Sequence, residues 1–171
     1  MKGAVFVFGW IDSLNEWVGK VVNWIILALV VEVAADLIMR RFTGQSLFFA
    51  FDVNYMLYGT QFMLAGAYTL KYNAHVRVDV IYDRFSPRGR AILECIFYIC
   101  LLFPSCIFLV DATWDHFYIM MLGREIGIVS AWHPPIYPFK LVMPISFALI
   151  ILQGIVIFAH SLVTAVKGGE A

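Results

Sequence analysis

Glu32 is the acidic residue of this sequence whose surroundings could give it chemistry. It lies in an apolar run from about Val21 to Met39, near the predicted midplane of a membrane span, where an ionised carboxylate is costly unless it is paired or solvated. It could bind a proton or a sodium ion, or it could be protonated or paired with a neighbouring subunit. We favour the second, structural interpretation, because Asp36 and Arg40 continue the same helical face at four-residue spacing.

A second pair of carboxylates, Asp111 and Asp115, also has the spacing of one helical face. Two such acids could hold a cation or serve in acid–base catalysis. They fall in the outer part of an unusually long apolar segment, where solvation costs little. The sequence therefore predicts a solvated or partner-facing surface here, with no catalytic residues and no metal site.

The positions of the histidines indicate whether the chain could be a haem-carrying membrane anchor. Such an anchor needs histidines of different helices at the same depth. His160 falls towards the cytoplasmic end of the last apolar segment and His116 at the opposite end of the preceding one, while His75 and His133 lie in loops. No pair shares a depth. The sequence predicts no haem and no other cofactor in this chain.

The composition is that of an integral membrane protein. The 171 residues are 62% hydrophobic and only 14% charged, against about 25% charged in soluble proteins. The formal net charge of zero gives no electrostatic reason to expect nucleic acid as a partner. The cysteines share one apolar segment, at spacings typical of neither a zinc site nor a disulfide framework, and we expect buried thiols. They are Cys95, Cys100 and Cys106.

The apolar segments predict an all-α protein with four transmembrane helices in a single membrane domain, residues 1–171, since each span needs roughly 20 apolar residues. The third segment has no strong breaker except Pro104 and would be about 48 Å long, so it must tilt, kink or project beyond the membrane. The predicted spans are 21–39, 53–70, 91–122 and 139–166, joined by a cytoplasmic loop 71–90 and a periplasmic loop 123–138.

Aromatic residues mark the expected contacts with the lipid bilayer. Trp10 and Trp17 lie on one face of an amphipathic segment, residues 4–19, and Trp132 and Tyr137 lie in the second loop, as expected of interfacial anchors. Two interpretations of the N-terminal segment stay open. It could be a helix lying on the membrane surface, or it could extend the first span.

The second span carries small residues that would let another helix approach closely. Gly59 and Gly66 are seven residues apart and therefore share a face, and Asp52 precedes the span. With Glu32, Asp36 and Arg40, these residues form the candidate subunit interface. We expect that Glu32, Asp36 and the small-residue face lack sufficient partners within four helices, so the chain should be stable only in a complex.

The polar run 68–90 separates the second and third spans, and its arginines could not lie in hydrocarbon. Placing it in the cytoplasm puts eight Lys and Arg residues on that side and four outside, which predicts that both termini are cytoplasmic. The eight are Lys2, Lys20, Lys71, Arg77, Arg84, Arg88, Arg90 and Lys167, and the four are Arg40, Arg41, Arg124 and Lys140.

This run also carries a family resemblance. The sequence His75-Val-Arg77-Val-Asp79, following a Gly66-Ala67-Tyr68 helix end, resembles the signature of the small permease subunit of TRAP (tripartite ATP-independent periplasmic) transporters. The chain departs from the family pattern at one place, because many relatives carry an acidic residue just inside the second span where this chain has Asp52-Val53-Asn54-Tyr55, and Asp52 would substitute for it. Further positions that look like those of the family are Arg40-Arg41, Trp132, Pro135, Lys140, Pro144 and Leu152-Gln153-Gly154.

The resemblance implies a small scaffold subunit of a sodium-coupled, binding-protein-dependent secondary transporter for organic acids in the bacterial inner membrane. Its partners would be a large multi-spanning permease, which carries the substrate and sodium sites, and a periplasmic substrate-binding protein. No enzymatic residues are implied. The signature-loop residues would cap and cross-link the inner ends of the second and third spans; they are His75, Arg77, Asp79, Arg84 and Arg88.

The residues alone favour the same class, because four helices without a repeat or a polar midplane cavity do not resemble a complete transporter. The main alternative is a membrane anchor of a redox enzyme complex, and a third is a small self-assembling channel. Co-purification of a large permease, a haem spectrum or a lone homo-oligomer would distinguish the three.

Overall fold

A computed structural model describes residues 2–72, 87–128 and 130–167 of the chain. Within these ranges the protein is all-α, and three helical stretches are long and apolar enough to cross a membrane: Phe6–Thr43, Arg88–Gly123 and Tyr137–Val166. The predicted class, an all-α integral membrane protein, is confirmed. His75, Arg77, Asp79 and Arg84 lie outside the described residues.

The helices of the described ranges alternate in direction along the chain. The helix α2, which includes the second predicted span, has 22 residues and is therefore about 33 Å long, slightly more than the thickness of a hydrocarbon core. The elements are α1 (Lys2–Thr43), α2 (Ala50–Lys71), α3 (Pro87–Phe97), a π-helical segment (Tyr98–Leu102), α4 (Phe103–Gly123), α5 (Tyr137–Lys140) and α6 (Val142–Lys167).

The first helix is one unbroken element of 42 residues, about 63 Å long. Lys20, which marked the start of the predicted span, bonds Glu16 one turn earlier at 2.8 Å, so its charge supports the helix and does not interrupt it. Of the two interpretations of residues 4–19, the structure has the extension of the first span. The helix ends at Thr43, and the next residue, Gly44, has a φ of 72°, the left-handed conformation that glycine adopts readily.

The third apolar stretch changes its helical form just before Pro104. Proline has no N–H and its ring clashes with the carbonyl four residues earlier, and the π-helical segment relieves this clash by widening the turn. At its end the Phe103 N–H donates to the Tyr98 carbonyl. Gly154 of α6 faces the widened turn, where an added Cβ would lie 3.1 Å from Leu102 Cδ2, so glycine permits the close approach of α6.

The helices pack as an open layer. The main contacts are α1 on α2, α2 on α6, and α6 on α3 and α4, while α1 touches α6 less extensively. We call the end where α2 begins the Asp52 end, and the end where α2 finishes the Lys71 end. The α4–α5 connection lies at the Asp52 end and is closed by an isolated antiparallel bridge between Ile126 and Pro135.

Candidate subunit interface and interhelical polar clusters

Asp36 of α1 is buried and fixes the α1–α2 connection. Its Oδ1 accepts hydrogen bonds from Ser46 Oγ at 2.7 Å and from the Leu47 backbone N–H at 2.8 Å, and its Oδ2 accepts from Arg40 Nε at 2.8 Å. Asp36 and Arg40, which were expected to share a helical face, are bonded to each other. The expectation that Asp36 lacks partners inside the chain is wrong, because the short loop after Gly44 folds back over the carboxylate.

Glu32 lies one turn before Asp36, but its carboxyl group differs from that of Asp36 in its hydrogen bonding. Both carboxyl oxygens are buried, and neither has a hydrogen-bond partner within the described residues. Arg40, about two helical turns further along α1, is bound to Asp36. Because α1 extends from Lys2 to Thr43, Glu32 lies in the second half of the helix, on the side of the Asp52 end. Its depth in a membrane remains a prediction.

Asp52 is buried in the first turn of α2 and ties that helix to the α4–α5 connection. Ser130 Oγ donates a hydrogen bond to Asp52 Oδ2, and the Trp132 backbone N–H donates to Ser130 Oγ at 3.2 Å. The acid that the sequence placed in a subunit interface therefore has an intramolecular partner. Its contact with another subunit remains a prediction.

The two glycines of α2 also have neighbours within the chain. An added Cβ at Gly59 would lie 2.6 Å from Phe139 Cζ, and one at Gly66 would lie 3.1 Å from Ile150 Cδ1. The close approach that these small residues allow is therefore used by α5 and α6. Beside Gly66 an apolar groove of about 490 Å³ separates α2 from α6.

A buried amide pair joins α1 to α6. Asn15 Nδ2 donates to Gln153 Oε1 at 2.7 Å, and Gln153 Nε2 donates to Asp12 Oδ1 at 2.9 Å. Both amide residues are only 1% exposed. Gln153 was a family-like position with no predicted partner in the chain, and the three-residue helical spacing of Asp12 and Asn15 was the available signal.

At the Lys71 end, a second cluster joins α1 to α2. Lys71 Nζ donates to Glu16 Oε2 at 2.7 Å and to the Asp12 carbonyl at 3.1 Å, while Glu16 Oε1 bonds Lys20 Nζ at 2.8 Å. Two lysines thus share one carboxylate, which fixes the last turn of α2 against α1.

A polar cavity of about 480 Å³ lies at the same end, chiefly between α3 and α6. On its wall Ser161 Oγ donates to Glu94 Oε2 at 2.6 Å. Close by, Arg88 Nε donates to the Ala165 carbonyl at 3.0 Å, so it caps the last turn of α6. Arg88 was expected to join the second and third spans, but its contact joins the third to the fourth.

The predicted membrane-interface anchors are distributed over both ends. Trp10 and Trp17 are 70% and 65% exposed on α1. Trp132 is 45% exposed and packs edge-on against Phe49 with ring centroids 6.4 Å apart. Tyr137 is half-buried at the start of α5. Contact of these four side chains with lipid remains a prediction.

The acidic and histidine residues considered for chemistry are dispersed. Asp111, Asp115 and His116 are exposed on α4, and His160 is exposed on α6. Among the described residues no three His, Cys, Asp or Glu side chains form a group that could hold a metal ion. The clusters of polar side chains described above form hydrogen bonds that join one helix or loop to another.

Comparison with known proteins agrees with the family resemblance of the sequence. Residues 29–164 match the family model for tripartite ATP-independent periplasmic transporters, DctQ component. The chain is also similar to the ectoine TRAP transporter small permease protein TeaB of Halomonas elongata, with 25% identity over 153 residues, which cover 89% of this chain and 78% of the relative. The family match runs from the second part of α1 through α2, α3, α4 and α5 and includes most of α6. The chain therefore belongs to the DctQ component family of TRAP transporters, as a small membrane permease subunit and not an enzyme.

Proposed function

We propose that this chain is the scaffold subunit of a sodium-coupled TRAP transporter, which holds and orients a large multi-spanning permease in the bacterial inner membrane. The large permease would carry the substrate and sodium sites, and a periplasmic binding protein would deliver the substrate. Both termini would lie in the cytoplasm. The proposal is supported by the polar groups between the helices, which form their hydrogen bonds within the chain.

Those groups join the helices of the chain to one another. Asp36 holds the α1–α2 loop, Asp52 holds the α4–α5 connection, and Gln153 joins α6 to α1. A transport pathway needs polar groups that are available to a passing solute. The groove between α2 and α6 is instead lined mainly by apolar side chains, which supports a scaffold.

The proposed substrate is an organic acid. Ectoine is a second candidate, because the name of the relative TeaB specifies an ectoine transporter. Specificity would reside in the large permease and the binding protein.

The test is reconstitution of the transporter with and without this chain. The large permease of the same transporter is co-expressed with the tagged chain, purified and placed in vesicles with the binding protein. Uptake of labelled organic acid or ectoine is then followed with and without a sodium gradient. We expect a stable complex and sodium-dependent uptake that requires both subunits. Uptake by the large permease alone at the full rate, or by this chain alone, would contradict the proposal.

A further inference from the structure

The polar cavity at the Lys71 end has no part in the scaffold function proposed above. It has a volume of about 480 Å³ and is open to the surface, and its lining comes from α1, α2, α3 and α6. Two acids and two bases belong to that lining, namely Asp12, Glu94, Lys71 and Arg90. A lining with both signs of charge in equal number is complementary to a ligand that also carries both.

The ends of two membrane-spanning stretches place this cavity at the level of lipid headgroups. The stretch Tyr137–Val166 has 30 residues and is about 45 Å long, as long as a bilayer with its headgroup layers is thick. Its ends therefore reach the headgroups. Thr164 of the cavity lies in the last turn of that stretch, and Arg90 lies in the first turn of Arg88–Gly123.

Two tryptophans of α1 indicate the same depth. Trp10 and Trp17 are exposed, and Asp12 lies between them along the helix. We expect both indole rings at the headgroup level, where tryptophan is enriched. Asp12 would then lie at that level as well, beside the cavity that it lines.

Lys71 and Asp12 each have hydrogen-bonding capacity left for a ligand. Lys71 Nζ donates to Glu16 Oε2 and to the Asp12 carbonyl, whereas a lysine ammonium has three donors. Asp12 Oδ1 accepts from Gln153 Nε2, and within the described residues no hydrogen bond reaches Asp12 Oδ2. One N–H of Lys71 and one carboxylate oxygen of Asp12 are therefore available on the same side of the cavity.

We propose that this cavity binds the headgroup of a phospholipid that carries a primary ammonium group, as phosphatidylethanolamine does. Lys71 and Arg90 bind the phosphate oxygens, and Asp12 and Glu94 accept hydrogen bonds from the ammonium, which are charge-assisted and therefore strong. Glu94 Oε2 already accepts from Ser161, and a carboxylate can accept several hydrogen bonds. The inference concerns this chain alone and does not depend on the scaffold function.

Other headgroups fit this lining less well. Pockets for anionic lipids have an excess of basic side chains, and here the two acids balance the two bases. The quaternary ammonium of choline has no N–H to donate and is recognised by aromatic cages, whereas none of the described residues that line the cavity is Trp, Tyr or Phe. A free zwitterion would have the right charges, but the depth of the cavity favours the lipid.

The test measures which lipid the chain retains. The full chain is purified in detergent with the large permease, stripped of lipid, and mixed with equal amounts of phosphatidylethanolamine, phosphatidylcholine and phosphatidylglycerol that have the same acyl chains. Native mass spectrometry then counts the lipids on the chain after its release from the complex. If the large permease does not co-purify, the proposed function is wrong, and the lipids are counted on the chain by itself.

Three variants are compared with the unaltered chain. D12N keeps an oxygen acceptor for Gln153, and E94Q keeps one for Ser161, while each removes a negative charge from the cavity. D115N is the matched control, since Asp115 is an exposed acid on α4 and does not line the cavity. Either cavity variant is sufficient for the test, so if one of them fails to insert, the other decides.

We expect the unaltered chain and D115N to retain phosphatidylethanolamine about tenfold more than either other lipid, and D12N and E94Q to lose this preference, because hydrogen bonds to charged groups are strong. Equal retention of the three lipids, a preference for phosphatidylglycerol, or an unchanged preference in D12N and E94Q alike would overturn the inference. Glycerophosphoethanolamine has the same headgroup without acyl chains. If it displaced the lipid at equal concentration, the cavity would bind a free zwitterion and the lipid assignment would be wrong.

Discussion

Gln153 of α6 and Asn15 of α1 are hydrogen-bonded at 2.7 Å although 138 residues separate them in the sequence. Both side chains are 1% exposed, and Gln153 also donates to Asp12. Because an amide has donors and acceptors fixed in one plane, this contact specifies the axial position of α1 against α6. It sets how far the first half of α1 extends along the fourth span.

Replacement of Gln153 with leucine should destabilise the chain by about 1–2 kcal/mol, because Asn15 and Asp12 lose their interhelical partner. The measurement is reversible unfolding of the purified complex in mixed micelles. In a double-mutant cycle, N15L should cost less in the Q153L background than alone. The control is Gln61→Leu on α2, where a half-buried amide beside the groove is replaced in the same way.

Additive effects of N15L and Q153L, or an equal loss with Q61L, would mean that the amide pair contributes no coupling. In that case the position of α1 would depend on apolar packing alone.

Replacement of Asp36 with alanine should loosen the α1–α2 connection. Ser46 Oγ and the Leu47 N–H would lose their acceptor and Arg40 its counter-ion, at a cost of about 1.5–3 kcal/mol for hydrogen bonds to a charged group. Trypsin cleavage after the exposed Arg41 should become faster in membrane vesicles. Asp111→Ala is the control, since Asp111 is an exposed acid on α4; similar cleavage rates for the two variants would contradict the role given to Asp36.

The two ends of the helices should lie on opposite sides of the membrane. The excess of Lys and Arg near the 71–90 loop predicts that the Lys71 end is cytoplasmic. In a background without native cysteines, N73C should react with an impermeant thiol reagent only after the cells are opened. Ile128, which is 84% exposed in the α4–α5 connection, should react in intact cells as I128C. The reverse labelling pattern would invert the topology.

The sequence was sufficient for the all-α membrane class, since apolar runs alone indicate helices of spanning length. The position of an irregularity in the third apolar stretch could also be anticipated, because Pro104 was its strong breaker. The π-helical segment lies just before this proline. The full length of α1 was harder to predict from the sequence. Lys20 suggested a boundary, but its partner Glu16 lies one turn away in the same helix.

Contacts between distant residues were beyond a single sequence. Asp36 and Asp52 were recognised as polar residues near span ends, but their partners Ser46 and Ser130 depend on how the loops fold back. Gly59 has the small size typical of a helix contact, and size does not specify whether the neighbour is another subunit or Phe139 of the same chain. The residue type indicates a contact, and the fold decides with which element.

Glu32 allows the scaffold role to be separated from the transport mechanism. Its two oxygens are buried and have no partner among the described residues, and Arg40, further along α1, is bound to Asp36. Glu32→Gln keeps the size of the side chain and removes its ability to carry a negative charge. We expect reconstituted transport to fall only as far as the yield of the complex falls, with the sodium dependence unchanged, because the proposed sodium sites lie in the large permease.

The decisive measurement is uptake per assembled complex as a function of sodium concentration, for the unaltered chain and for E32Q. Glu32→Asp is the companion variant, since it keeps the acid but shortens the side chain. If E32Q assembled normally and yet shifted the sodium affinity or stoichiometry, while E32D retained them, the carboxyl group of Glu32 would take part in ion coupling. The chain would then contribute to transport itself, and its function as a scaffold alone would be wrong.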